Sequence, residues 1–213
     1  MTDKETEICC RDREATRTKI LDSAGEVFAK YGYISAKTEA IAAKTNVTKA
    51  MIYYYFGNKE NLYVETIKHI FIEPLKKLED FSLDKKDPIE SLSIILDSML
   101  TMIAKKPNLS YIMMYEALQN DGKYYKQVGL FNFYNLIAKI IQKGIDSGVF
   151  KNIDPKHTSV NIVGACIYYF CSAENIKHLW NDNDSNNDLL SESMLASHRD
   201  SAITLILNGL LAK

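Results

Sequence analysis

Tyrosine hydroxyls and lysine ammonium groups crowd one short stretch of the chain, NVTKAMIYYYFGNKENLY, which covers residues 46–63. Such groups donate hydrogen bonds to phosphate oxygens, an apolar side chain such as Met51 packs against a base edge, and a small residue such as Ala50 lets the backbone come close. Three consecutive tyrosines suit neither a dry core nor an ordinary surface, because each joins a large ring to a hydroxyl. The residue types and their spacing therefore indicate a surface that binds nucleic acid.

Two short helices and a tight turn are needed to position these side chains. The hydrophobic pattern predicts one helix at about 37–45 and another at 49–56. Between them, Asn46 suits the left-handed conformation that ends a helix, and Thr48 suits the N-cap of the next one. This arrangement is the connection of a helix-turn-helix, whose second helix fits the major groove of DNA.

The rings of the second helix divide between a core and a DNA-facing surface. Four side chains can face inward together: Val47, Ile52, Tyr55 and Phe56. The outer surface then presents Lys49, Ala50, Met51, Tyr53 and Tyr54. We expect the two exposed tyrosines to donate to phosphates, Lys49 to reach phosphate or guanine, and Met51 to pack on a base edge. Thr48 lies at the start of the same surface.

A second anchor and a local charge bias support a DNA-facing head. Asn58 is predicted to cap the next helix, so Lys59 lies in its first turn, where unpaired N–H groups favour a phosphate. Residues 11–59 carry nine basic and five acidic side chains, a balance of +4, whereas the whole chain carries −1. This distribution favours a basic head on a neutral or acidic body.

Composition excludes several other classes of protein. The 213 residues are 46% hydrophobic and 25% charged, which is typical of a globular protein with a full core. No apolar run is long enough for a membrane span, and the charged N-terminus does not resemble a signal peptide, so we expect a cytoplasmic protein. The four cysteines lack CxxC spacing and the four histidines are scattered, so the sequence predicts no catalytic site, metal site or cofactor.

Nearly every segment has helical periodicity, which predicts an all-α fold. The pattern predicts about nine helices, near residues 14–31, 37–45, 49–56, 59 to beyond 71, 88–104, 108–119, 123–146, 155–179 and 192–211. Gly32 and Gly148 are expected to end helices, and Asp87-Pro88 and Asp154-Pro155 to begin them. A polar loop, WNDNDSNNDLL, separates the last two helices.

The motifs named so far resemble the N-terminal domain of the tetracycline-repressor (TetR) family of transcriptional regulators. The resemblance covers roughly 14–65, and its signatures include Gly32-Tyr33, Ile41-Ala42, Val47-Thr48-Lys49, Tyr53-x-Tyr55-Phe56 and Lys59-Glu60-x-Leu62. It implies an all-α protein with a three-helix DNA-binding head at 11–60. Residues 61–213 would form a helical ligand-sensing and dimerisation domain.

This chain departs from the family pattern in four places. Ala36 and Lys37 stand where the family usually has threonine and serine, so Ser35 becomes the candidate cap and Lys37 would replace a hydroxyl–phosphate contact with a charged one. Asn46 and Ala50 stand where glycine is common. These changes bear on which operator is bound and leave the binding mode unchanged.

Two apolar stripes near the C-terminus suggest a dimer. Val160, Val163, Ile167 and Phe170 recur beside Gly164, and Ala202, Leu205, Ile206 and Gly209 form a comparable face. Either the stripes build a four-helix bundle across a two-fold axis, or they are intramolecular core. A dimer would also let two heads read two half-sites of a palindromic operator.

An excess of Met and Tyr in the body suggests an apolar or aromatic effector. The candidate ligand-binding residues are Met99, Met102, Tyr111, Met114, Tyr115, Phe131, Tyr134 and Tyr168, although such stripes are also common in cores. We therefore expect a homodimeric, ligand-responsive repressor. The alternatives are a DNA-binding protein of the same fold that is controlled by a protein partner or organises the chromosome, and a helical enzyme, for which no catalytic constellation is visible.

Overall fold

A computed structural model describes residues 3–78, 83, 85–180 and 188–212, with the backbone alone for 3–11. Its α-helices are α1 (Asp3–Ser35), α2 (Thr38–Thr45), α3 (Lys49–Phe56), α4 (Lys59–Ile67), α5 (Glu73–Lys76), α6 (Pro88–Lys105), α7 (Ser110–Asn120), α8 (Lys123–Val128), α9 (Phe131–Asp146), α10 (Pro155–Ile176) and α11 (Glu192–Leu210). Within the described ranges there is no strand, so the all-α prediction is confirmed. Most of the predicted polar loop, 181–187, lies outside them.

Most predicted helix boundaries agree with the structure, because their caps form as expected. Asn46 adopts φ 56° and ψ 38°, the left-handed region. Thr48, Asn58, Asp87 and Asp154 each accept a backbone N–H at the start of α3, α4, α6 and α10. Capping chemistry in the sequence therefore locates these helices.

Several details of the prediction were wrong. Helix α1 begins well before Glu14 and continues to Ser35, with a kink at Gly32 (φ 69°, ψ 173°) instead of an end. Ser35 is not the cap of α2, because Lys37 occupies that position without a side-chain bond. The helix predicted for 123–146 is two helices, since Gly129 takes left-handed φ 72° after α8.

The chain forms two compact units. Unit 1 comprises 1–73 and 111–129, and unit 2 comprises 74–110 and 130–213. Unit 1 therefore contains α1–α4 together with nearly all of α7 and all of α8. In the sequence, α7 and α8 lie within 61–213, the range predicted to form the ligand-sensing and dimerisation domain. Its core includes fully buried Ile20, Phe28, Ile41, Ile52 and Leu62.

Unit 2 packs α6, α9, α10 and α11 around a separate apolar core. Leu92, Ile95, Leu96, Ile137 and Ile141 are fully buried. The chain end is tied to the loop after α9, since Lys151 N donates to Leu210 O at 2.8 Å and Ala212 N donates to Val149 O at 3.0 Å. No helix of the described chain has the length and apolarity to cross a membrane.

Candidate nucleic-acid interface

Helix α3 is fixed by one buried face, and this determines what it exposes. Ile52 and Phe56, one helical turn apart, are 1% and 2% exposed. Thr48 Oγ1 accepts from Met51 N at 3.1 Å, which sets the first turn of the helix. The opposite face must therefore point to solvent. Val47 and Tyr55, predicted to face inward with these two, are half-buried.

Seven of the eight predicted DNA-binding residues are exposed. They are Lys37, Thr48, Lys49, Ala50, Met51, Tyr53 and Tyr54, and the eighth, Lys59, is half-buried. Tyr54 has 70% of its surface exposed and Tyr53 has 37%. The two rings that were predicted to contact DNA are therefore accessible at the surface. The structure brings all eight into unit 1.

A ring of four side chains links α2 to α3. Lys49 Nζ donates to Glu39 Oε1 at 2.6 Å, and Lys49 Nζ also lies 5.7 Å from the centroid of Tyr53. Thr38 Oγ1 donates to Glu39 Oε2 at 3.3 Å and lies 3.5 Å from the Tyr53 hydroxyl. The hydrogen bond from Lys49 lowers the pKa of Glu39 to about 2 and raises the pKa of Lys49. Both partners are therefore ionised at neutral pH.

A guanidinium from α1 extends this surface. Arg13 is exposed, and its Cζ lies 5.5 Å from the ring centroid of Tyr54 and 6.0 Å from that of Tyr55. These distances are within the range of cation–π contact. From the sequence, Arg13 contributed only to the charge balance, since nothing in the local pattern places this part of α1 against α3.

Lys59 begins α4 as predicted, beside the end of α1. Asn58 Oδ1 accepts from Asn61 N at 2.8 Å and so caps α4. Lys59 Nζ donates to Ile34 O at 3.1 Å and lies 5.0 Å from the ring centroid of Tyr33. Burial lowers the pKa of Lys59. The ammonium is thus held at the N-terminal end of α4.

Helix α4 is attached to α7 and α8 by a buried carboxylate. Glu116 is fully buried and its Oε2 accepts from the Tyr63 hydroxyl at 3.1 Å and from Asn120 Nδ2 at 2.7 Å. Its Oε1 accepts from Tyr124 N at 2.6 Å and from Tyr125 N at 3.4 Å. Burial, followed by the charge of Glu116, raises the pKa of Tyr63. Four donors thus compensate the desolvation of this charge.

Aromatic rings and an ion pair reinforce the same junction. The Tyr63 ring lies 4.8 Å from Phe28, 4.9 Å from Tyr33 and 5.1 Å from Tyr124, measured between centroids. Lys123 Nζ contacts Glu60 Oε1 at 2.6 Å. This junction could not be predicted from the sequence, because its partners lie at least thirty positions apart and no local motif joins them.

The eight candidate ligand-binding residues fall in both units. Tyr111, Met114 and Tyr115 lie on α7 in unit 1, and the other five lie in unit 2. Met99 is buried, and Met102, Tyr111, Tyr115 and Tyr134 are half-buried. Three are exposed: Met114 by 48%, Phe131 by 53% and Tyr168 by 66%. Their role in binding a ligand stays a prediction.

The structure separates the two apolar stripes of α10 and α11 into core and surface. Val163, Ile167, Phe170, Ala202 and Ile206 are buried within unit 2. Val160, Gly164 and Leu205 are exposed, as is Gly209. One part of each stripe therefore packs inside the subunit, and the dimer interpretation stays a prediction for the exposed part.

Comparison with known proteins agrees with this architecture. Residues 20–66 match the family model described as bacterial regulatory proteins, tetR family, and residues 88–206 match the tetracyclin repressor-like C-terminal domain. The HTH-type transcriptional repressor NicS of Pseudomonas putida is 26% identical over 174 residues, which cover 79% of this chain and 82% of NicS.

Two solved structures share the fold. FadR of Bacillus subtilis in complex with stearoyl-CoA has a TM-score of 0.66 and 22% identity, covering 90% of this chain and 97% of FadR. A transcriptional regulator from Saccharomonospora viridis in complex with choline has a TM-score of 0.69 and 16% identity, covering 94% of this chain and all of that one. The chain has a helix-turn-helix in unit 1, and the C-terminal family model matches more than half of the chain's length. The chain therefore belongs to the tetracycline-repressor family of transcriptional regulators.

Proposed function

We propose that this chain is a repressor that binds a palindromic operator as a homodimer and is released by an apolar or aromatic small molecule. The observation that carries the proposal is the open face of α3, where Lys49, Met51, Tyr53 and Tyr54 are exposed opposite a fixed buried face. Family membership supports a regulator over an enzyme, because the similar proteins are transcriptional regulators.

Each residue of this face has a role that follows from its chemistry. Tyr53 and Tyr54 donate to phosphates and pack their rings on sugars or thymine methyls, so they position the head. Lys49 and Met51 contact base edges and determine sequence preference. Three further residues complete the surface: Lys37 and Lys59 contact phosphates, and Ala50 permits close approach. Such a head at 11–60 would act on the chromosome in the cytoplasm.

The exposed parts of α10 and α11 are the proposed dimer interface. Val160, Gly164 and Tyr168 recur every fourth residue on the open face of α10, and Leu205 is 71% exposed on α11. Exposed apolar positions at this helical spacing suit an isologous helical interface. We expect Tyr168→Glu to shift the protein from dimer to monomer in light scattering, and Ile34→Glu, at an exposed apolar site of unit 1, to leave it dimeric. A Tyr168→Glu protein of unchanged mass would contradict this interface.

The buried carboxylate on α7 offers a route from effector to DNA. Three candidate ligand residues, Tyr111, Met114 and Tyr115, lie on the same helix as Glu116, which holds Tyr63 of α4. An effector that moves α7 would move α4, and with it the head that α4 completes. The effector must bind the two arrangements with different affinity, since equal affinity shifts no equilibrium. The acyl chain of the FadR ligand agrees with an apolar effector.

The test begins with selection of duplexes from a random pool by the wild-type protein. Fluorescence anisotropy then measures affinity for the selected duplex and for a scrambled duplex, before and after addition of stearoyl-CoA, choline and a library of apolar compounds. We expect specific binding that an apolar compound weakens. Specific binding that no compound weakens would favour control by a protein partner, and failure to enrich any sequence would refute the operator-binding proposal.

A further inference from the structure

The DNA-facing helices carry one acidic residue where a polyanion is expected to dock. Between them, α2 and α3 contain Glu39 and no other Asp or Glu, and its side chain is 61% exposed. A carboxylate beside a duplex costs affinity, because it repels the phosphates instead of releasing their counterions. A gain in affinity for DNA therefore does not explain why Glu39 lies on this surface.

Glu39 changes what Lys49 can do. With Nζ held 2.6 Å from Glu39 Oε1, the pair carries no net charge and so gains little from a phosphate. The ammonium has three N–H donors, of which one is engaged by Glu39, so two remain. Thr38 and Tyr53 restrict the pair from both sides, since Thr38 Oγ1 donates to Glu39 Oε2 and the Tyr53 ring lies beside Lys49 Nζ. The remaining donors therefore have a restricted range of directions.

The hydrogen-bonding groups of Lys49 and Glu39 that do not bond to each other match the groups of one base pair. In the major groove guanine presents two acceptors, O6 and N7, and its paired cytosine presents the N4 amino donor. The two free N–H groups of Lys49 fit the guanine acceptors, and the carboxylate of Glu39 has lone pairs free to accept from cytosine. Lys49 is the first residue of α3, and N-terminal residues of a recognition helix are those that contact base edges.

We propose that Glu39 is a specificity-determining residue, which with Lys49 forms a neutral donor–acceptor unit that reads a G·C pair and withholds the lysine from phosphates. This inference rests on the proposed operator binding. It goes further by assigning a base pair to a residue pair and by giving an acidic side chain a role at the DNA surface.

The experiment compares Glu39→Gln with wild type on the duplex that wild type selects, on copies with each G·C pair replaced by A·T, and on a scrambled duplex. Affinities are measured over a series of salt concentrations. Glutamine retains the size of the side chain and removes its charge, and exposure of Glu39 makes a loss of folding unexpected. Glu174→Gln is the matched control, because Glu174 is exposed, pairs with Lys177 outside α2 and α3, and loses the same charge.

Glu39→Gln frees Lys49 to contact phosphate, so log K against log [salt] should become steeper by about 0.9, with tighter binding to the scrambled duplex. Discrimination at one G·C position should fall by about tenfold. Glu174→Gln should change neither quantity. Adding Lys49→Ala to Glu39→Gln should return the slope to that of wild type, because neither the wild-type pair nor the double variant carries a net charge at this place.

Two outcomes distinguish a failure of this inference from a failure of the operator-binding proposal. If wild type selects a duplex but Glu39→Gln has the slope and base preference of wild type or of Glu174→Gln, the inference is overturned and operator binding stands. If wild type selects no duplex, both are overturned.

Discussion

Replacing Tyr63 by phenylalanine removes one hydroxyl from the junction between α4 and α7. The ring is 1% exposed and its hydroxyl donates at 3.1 Å to Glu116, which is fully buried. Phenylalanine fills the same space, so the loss is the hydrogen bond itself. A bond to a charged partner contributes about 1.5–3 kcal/mol to stability. We therefore expect Tyr63→Phe to lower the free energy of unfolding by about 2 kcal/mol, or roughly 4–8 °C in midpoint for a chain of this size.

The assay is thermal unfolding followed by circular dichroism at neutral pH. Tyr31→Phe is the matched control, because Tyr31 lies on α1 of the same unit and 45% of its surface is exposed. Its midpoint should stay within about 1–2 °C of wild type, as for most exposed substitutions. Equal midpoints for Tyr63→Phe and Tyr31→Phe would refute the claim that the Glu116 carboxylate holds α4.

Three other changes test separate parts of the structure. Arg13→Ala should flatten the salt dependence of DNA affinity by about 0.9 in slope if Arg13 extends the α3 surface, whereas Lys156→Ala on α10 should leave it unchanged. Gly32→Ala should lower the unfolding midpoint by about 10 °C, or roughly 3 kcal/mol, because φ 69° with ψ 173° is a backbone conformation that essentially only glycine adopts, and a Cβ there would also displace the movable end of the Gln119 side chain. Gly148→Ala, with φ +74° and open space, should lose less, and an equal loss would contradict this account. Burial raises the pKa of Tyr33 from 10.0 to about 12, so the unfolded chain releases this proton first and stability should fall as pH rises from 10 to 12; urea unfolding of Tyr33→Phe should show a shallower fall, and an identical profile would contradict the assignment.

Local chemistry made the head predictable. The caps at Thr48 and Asn58 and the left-handed Asn46 depend on residues three or four positions away, so the sequence locates them. The four-residue spacing of Ile52 and Phe56 then defines which side of α3 is buried and which is exposed. Most of the candidate DNA surface followed from these local rules.

The parts that the sequence did not predict depend on how helices cross. The Glu39–Lys49 pair forms because α2 and α3 meet at a particular angle, and Glu116 reaches Tyr63 across fifty-three positions. Periodicity also gave no sign that Gly129 divides 123–146, since the residues on both sides fit one helix. In α10, apolar residues occupy both the buried and the exposed face of the helix. Their spacing therefore did not distinguish Val163 in the core from Val160 on the surface.

Chemical protection of the selected duplex tests most directly whether α3 enters the major groove. Dimethyl sulfate methylates guanine N7 in the major groove and adenine N3 in the minor groove, and the wild-type protein supplies the protection. Our account predicts protected guanine N7 in two patches separated by one helical turn, about 10–10.5 base pairs, or a multiple of it, with adenine N3 as reactive as in free DNA. Bound DNA with fully reactive guanine N7, or with protection confined to adenine N3, would contradict it.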